Sequence, residues 1–456
     1  MSRTLSTVMV FVLAALLGVV TTFIFYPGLM SFDSIYQYRQ VVGDLAVQNY
    51  HPPIMVYVWK LGHAIMGPGG LLVINQCMYW AAIALIGIGV HQNWLIRLFV
   101  VLVLGLLPPL WIHSATIWND VGVMSAFLLV VGCSLLLRDT GSRWVLVVGL
   151  VALFYGLSAK HTGLPAAIPL FFLLSDAWFQ SRGLQPVSAT PPWLRVSVLA
   201  VSAMASMILA SFLVGSIGVE KSTKWPTIAL WDLAAVSLAE DRLLIPESVL
   251  NYKGKTGAET LALLRGSFSP EVNGPLVEVV NFFPGEEAQK ELLQDWLSLP
   301  RLYPDSYFTH RAQVFGRLLG VPPYPVHLAF EHRIIDNDLG LRLLNKDSGF
   351  FNFAIKWVSR SVDTPLYKSW VYFALLLLCL CYSLASLFRA NAFDARVLVY
   401  LALSGAAYVL PLFIVAPAAD FRYTLWMVAC SAVMACIIIC RFWLAGYEAG
   451  NKQAKE

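Results

Sequence analysis

The sequence of 456 residues predicts an all-α polytopic membrane protein with about ten transmembrane helices and a mainly helical extracytoplasmic domain. Three observations carry that prediction. Hydrophobic residues make up 58% of the chain and charged residues 13%, where soluble globular proteins sit near ~45–50% and ~25%. Mean hydropathy is +0.68. The charge is also segregated: 18 of the 27 acids and 15 of the 31 bases fall between residues 218 and 366. Residues 1–217 hold five Asp and no Glu. A water-soluble enzyme and a disordered chain are excluded as first readings. The net charge of +4 is small and scattered, so no nucleic-acid partner is expected.

A spanning helix needs ~20 apolar residues. Such runs lie at about 5–26, 71–90, 95–112, 121–138, 144–160, 164–180, 196–217, 367–388, 397–416 and 422–441. No small-residue cleavage site follows the first, which predicts a signal anchor. The segment 52–67 carries Pro52, Pro53, Lys60, His63 and Gly67, and predicts a helix lying in the membrane interface. With that assignment Arg3, Arg97, Arg138, Arg143, Arg182, Arg195, Arg389, Arg396 and the tail from Arg441 to Lys455 share the cytoplasmic side. Both termini are then inside. The chain divides into an N-terminal bundle (1–217), an extracytoplasmic domain (218–366) and C-terminal helices with a cytoplasmic tail (367–456). Within the middle part, Thr227–Leu244, Glu286–Leu299 and Asp305–Leu319 place apolar residues at helical spacing. Gly349–Ser361 is amphipathic and predicts a helix along the membrane surface. All seven cysteines lie in apolar segments, which predicts packed thiols and no disulfide framework.

This topology leaves four charged loops on the outer side. They carry Asp33, Asp120, the Lys160-His161 turn and the Asp420-Phe421-Arg422 turn. Charges at the ends of membrane helices are costly unless paired or functional. One alone is ordinarily a snorkelling side chain, but four from separate loops predict a site. Asp33, among aromatics, could be a general base, or the N-cap of a short helix from Ser34 to Gln40. Asp120 offers the same two readings. The two carboxylates could share a divalent metal, Mg or Mn. Lys160, His161 and Arg422 are the candidate phosphate ligands, and a phosphate at this boundary is most simply the head group of a lipid carrier. Tyr36, His51 and Arg311 are further substrate-contact candidates. Asp336-Asn337-Asp338 predicts a turn. His327 and His332 are five apart, off the helical face that a metal pair needs. No Walker A loop or strand-linked Gly-rich fingerprint is present.

An apolar first helix, an outer-loop Phe32-Asp33-Ser34, then His51-Pro52-Pro53 and a Lys-containing turn at residue 160 together resemble the GT-C glycosyltransferases. The style is that of the protein O-mannosyltransferase and aminoarabinose transferase branch, over roughly residues 5–180. The resemblance implies a GT-C-like bundle in the inner membrane of a bacterium, with its site facing the periplasm or exterior. It implies Asp33 as the catalytic or metal-associated carboxylate, Asp120 as its assistant and Lys160 as a carrier-phosphate ligand. The expected reaction is inverting transfer of a sugar from a polyprenyl-phosphate donor to a glycan, lipid or protein acceptor. Membrane lipids are the other expected partner. Ser34 stands where that family often carries a second acid, and the large domain sits between helices seven and eight. Two other readings remain at this point: an O-antigen ligase or polymerase, and a transporter or flippase of a lipid-linked substrate.

Overall fold

The computed structural model describes residues 2–182, 192–216, 218–252, 254–390 and 393–453. Among them every regular element is a helix. In chain order these are α1 (Arg3–Phe25), α2 (Phe32–Val42), α3 (Ile54–Met66), α4 (Gly70–Val90), α5 (Trp94–Gly105), α6 (Pro108–Ser114) and α7 (Asn119–Thr140). Then come α8 (Arg143–Ala159), α9 (Gly163–Ser181), α10 (Pro192–Ser216), α11 (Trp225–Ala239), α12 (Gly257–Ser267), α13 (Glu286–Leu302) and α14 (Pro304–Leu319). The chain closes with α15 (Gly349–Ser361), α16 (Ser369–Ala390), α17 (Phe393–Val409), α18 (Leu412–Val415) and α19 (Leu425–Gln453). The amphipathic helix read at Gly349–Ser361 has those bounds in the structure.

The protein is an integral membrane protein. Seven helical stretches among the described residues are long and apolar enough to cross a membrane, or eight if a bent pair is one span. The expectation of about ten is not reached. One reason is the run 95–112, which does not form a straight span: α5 and α6 meet at 69°. Pro108 and Pro109 lack the N–H groups that would continue the helix from Gly105, so the chain must break there. The helix at 144–160 is also short, α8 having 17 residues. The segment around 52–67 forms α3, whose 13 residues rise only about 20 Å. Gly67, at φ 64°, ends it in the left-handed region, and the chain folds back into α4. There the backbones of Gly62 and Gly70 touch so closely that a Cβ on Gly62 would sit 2.8 Å from the Gly70 carbonyl carbon.

The core sits around α7, which is buried for most of its length and packs on α4, α8 and α9. Small residues permit that approach. A Cβ at Gly132 would lie 2.7 Å from Leu85 Cβ on α4, the close-contact device of helices in lipid. Outside the bundle, α11 is the buried centre of a smaller helical cluster with α12, α13 and α14.

Backbone hydrogen bonds tie the loops at one end of the bundle to that cluster and to one another. Leu29 N–H donates to Ala115 O at 3.0 Å and Ile117 N–H to Leu29 O at 2.9 Å, joining the loops of Asp33 and Asp120. Met30 N–H donates to Arg333 O, and Ile335 N–H to Met30 O, both at 3.1 Å. Asn49 N–H donates to Glu220 O at 3.2 Å, and Ala419 N–H to Glu271 O at 2.7 Å. The loops that sequence alone could place only on one side are thus one connected layer.

Candidate active site

Asp33 and Asp120 both lie in first turns, but neither is a cap. Ser31 is the N-cap of α2 and Trp118 of α7, which places each acid at the second helical position. The capping reading is therefore corrected: both carboxylates are free to point into the layer. A side-chain chain sets their register. Gln37, one turn beyond Asp33, donates to Asn119 Oδ1 at 2.9 Å, and Asn119 Nδ2 donates to Ala159 O at 2.8 Å. Asp120 follows Asn119 and Lys160 follows Ala159, so two hydrogen bonds align three of the site residues.

These side chains surround a cavity of about 410 Å³. Its lining includes Asp33, His51, Asp120, Lys160, His161 and Arg422. The structure therefore brings together six of the eight residues singled out from sequence. Arg422 is the hub. It donates to Asp33 Oδ2 at 2.8 Å, to Asp420 Oδ2 at 3.1 Å and to the Tyr423 hydroxyl at 3.3 Å. Its guanidinium lies 4.7 Å from the Trp118 ring centre, a cation–π contact. Lys160 is bonded to Asp120, whose same oxygen accepts from Tyr408 at 3.0 Å. The Lys160 ammonium also sits 4.2 Å from the Tyr423 ring centre.

Two candidates lie elsewhere. Tyr36 hydrogen-bonds Gln48 and is outside the cavity lining. Arg311 is fully buried in the α11–α14 cluster, paired with Asp232 at 2.6 Å and donating to Ala416 O at 3.0 Å. It therefore braces the loop that carries Arg422 and does not face the cavity. In the Asp336-Asn337-Asp338 turn, Asn337 Oδ1 accepts from Leu339 and Leu341 N–H groups, the expected role for an Asx turn.

Lys224 was not foreseen. It reaches the cavity from the segment between α10 and α11, its ammonium 5.1 Å from the Tyr50 ring centre. Among the described residues no carboxylate lies within 4.0 Å of it, unlike Lys160 and Arg422. The signal that singled out Lys160, a cation just past the end of an apolar helix, also applied to Lys224. It was hidden among the 15 bases of a soluble-looking stretch.

Electrostatics follow from this crowding. Burial pushes the Asp33 carboxyl up, but Arg422, His51 and Lys224 outweigh it and hold it well below the usual carboxylate range. Burial, with Lys224 and Arg422 adding to it, lowers His51 against the raising effect of Asp33. Burial likewise lowers Lys224, partly offset by Asp33. Asp33 and Asp120 are already neutralised by Arg422 and Lys160, and no cluster of three or more His, Cys, Asp or Glu ligands forms among the described residues.

A groove of about 330 Å³ adjoins the cavity and shares Asn49, Pro52, Lys160 and His161 with it. Its other walls are mainly apolar, with Leu157 of α8, Leu164 of α9 and Ile208, Phe212 and Val214 of α10. Phe212 is 68% exposed on α10, a helix that packs Ala200, Ala203, Met204 and Met207 against the core and leaves most of its surface outside it.

No family model matches the chain, and no curated protein matches it. Among solved structures it is similar to ArnT from Cupriavidus metallidurans bound to undecaprenyl phosphate, at 13% identity over 93% of this chain and 77% of that one, with a TM-score of 0.34. The apo form of that ArnT gives the same identity and TM-score over 95% of this chain and 78% of the other. A likeness at this level carries no argument, so the function of the cavity has to be read from its own geometry.

Proposed function

We propose that this protein is a membrane glycosyltransferase that takes a sugar from a polyprenyl-phosphate donor and transfers it, with inversion, at the outer face of a bacterial inner membrane. The observation that carries this reading is the junction of groove and cavity. An apolar channel along α10 suits a polyprenyl chain, and it ends at Lys160 and His161, where the charged cavity begins. A lipid phosphate drawn along that path meets Lys160, Lys224 and Arg422. Fixed cations in a partly dry site stabilise phosphate oxygens as charge develops on them.

The acceptor, a glycan, lipid or protein hydroxyl, comes from the side of the α11–α14 cluster. Its oxygen bonds to the anomeric carbon from the face opposite the phosphate, and the C–O bond to phosphate breaks with its electron pair leaving on polyprenyl phosphate. Attack at neutral pH needs the hydroxyl proton removed, and Asp33 supplies the negative charge for that base function. The test is direct. The full chain, reconstituted in nanodiscs, should bind undecaprenyl phosphate and release it from one member of a panel of undecaprenyl-phosphate sugars when native membrane extract supplies acceptors. The product should have inverted anomeric configuration. No binding of undecaprenyl phosphate, together with no release from any donor, would sink the reading.

A further inference from the structure

We propose that the atom receiving the acceptor's proton is Nδ1 of His51, and that Asp33 acts by orienting His51. This rests on the transfer reading above and changes which residue does the proton chemistry. Four observations carry it. Asp33 spends one carboxylate oxygen on Arg422 at 2.8 Å, while the other, Oδ1, faces His51 Nε2 at 3.6 Å. That separation is longer than a hydrogen bond, and bonds of this kind tighten when substrate closes the site. His51 lines the cavity with a side chain only 12% exposed, and among the described residues nothing hydrogen-bonds its Nδ1. Its two chain neighbours restrict it, one at the ring and one at the backbone. Tyr50 meets it edge-on, centroids 5.0 Å apart at 88°, and Pro52 confines the backbone of His51 to extended conformations.

The alternatives inside the cavity are worse proton acceptors. Asp33 and Asp120 are each tied to a cation, and Arg422 together with His51 and Lys224 keeps Asp33 weakly basic despite its burial. The charged and titratable groups facing His51 are Asp33 from α2, Arg422 from the turn before α19, Lys224 from the segment before α11, and the neighbouring Tyr50. Burial and the two cations hold the imidazole neutral at neutral pH, with its lone pair available. In the step itself the acceptor O–H proton passes to His51 Nδ1 as the oxygen bonds to the anomeric carbon. The imidazolium that forms is stabilised by ionised Asp33, and it later gives the proton to water. This is the division of labour by which a buried Asp holds a His in the productive tautomer.

The experiment compares wild type, His51→Gln and Asp33→Asn as full chains in nanodiscs. The first measurement is kcat/KM against pH for release of undecaprenyl phosphate from its sugar-linked form. Wild type should show an acid limb with a midpoint below ~6.5, the ordinary histidine value. His51→Gln should lose ~10²–10⁴-fold in rate and the limb with it. Asp33→Asn should keep a limb at lower pH, because the charge that raises His51 is gone. His51→Gln at near wild-type rate, or slow with the limb intact, would overturn the assignment. The second measurement needs no turnover: carbethoxylation of His51 by diethyl pyrocarbonate, followed by mass spectrometry across pH. Its midpoint should lie below ~6.5 in wild type and fall further in Asp33→Asn. An unmoved midpoint in well-folded Asp33→Asn refutes the pairing. Absence of donor turnover by wild type, with the midpoint shift present, refutes the transfer reading and leaves the pairing standing.

Discussion

Arg311 with Asp232 and Arg422 with Asp33 are close ion pairs, at 2.6 and 2.8 Å, and both join residues far apart in the chain. Their surroundings differ. Both side chains of the first pair are fully buried; Trp296 Nε1 donates to Asp232, Arg311 donates to Ala416 O, and His310 Nε2 lies 3.2 Å from Asp232 Oδ1. In the second pair Asp33 is 30% exposed, and its exposure is to the cavity. A buried arginine with all its neighbours inside the fold can only brace. An arginine of the same strength beside an open cavity can exchange part of its bonding for a ligand. Access to the cavity, and not the strength of the pair, separates the bracing arginine from the one proposed to meet the donor phosphate. A third pair, Arg265 with Asp241, is exposed on both sides and supplies the baseline.

The largest effect should come from Asp33→Asn. Transfer should fall by ~10²–10⁴, with helix content and detergent melting unchanged, since Ser31 and not Asp33 caps α2. Circular dichroism beside the donor-release assay checks both halves. A large loss of fold would move Asp33 into the bracing class.

Arg311→Met should act in the opposite sense. It leaves Asp232 charged and buried, and stability should drop by ~3–5 kcal/mol, while the protein that remains folded still binds undecaprenyl phosphate. Removing both charges with Asp232→Leu and Arg311→Met should recover much of the loss. Thermal unfolding in detergent distinguishes the single from the double variant, and equal destabilisation by both would contradict the bracing role.

Next in size is Lys224→Met. The ammonium has no carboxylate partner within 4.0 Å among the described residues, so neutralising it should leave stability nearly unchanged. A charge-assisted phosphate contact of ~1.5–3 kcal/mol corresponds to a ~10–100-fold weaker affinity for undecaprenyl phosphate. Tryptophan fluorescence titration reads this, helped by Trp118 and Trp225 in the cavity wall. Unchanged affinity would make Lys224 a passive neighbour of Tyr50.

The smallest effect belongs to Arg265→Ala, which should change stability by no more than ~1 kcal/mol and leave donor binding alone. A larger change would mean that exposure is a poor guide to what these pairs do.

Much of the site was legible along the chain because hydropathy is a local property. An acid or base within a few residues of an apolar run marks a helix end, and that rule reached Asp33, Asp120, Lys160 and Arg422. It could not show that Asp33 would find Arg422 across 389 residues, or that Asp120 would find Lys160 across 40. Arg311 misled for the same reason: its partner Asp232 is 79 residues away, and nothing near Arg311 in the sequence announces a buried pair.

Composition and periodicity alone determined that this chain lives in a membrane, where its charged stretch begins and ends, and where helices such as Gly349–Ser361 would form. Those properties depend on each residue's own affinity for water and on neighbours three or four positions away. Only the tertiary structure decided which charges neutralise one another, that the run 95–112 breaks, and that Lys224 and His51 face the same cavity as Asp33. Ion pairing and enclosure depend on through-space distance, and that distance is set when the loops of separate helices are tied into one layer.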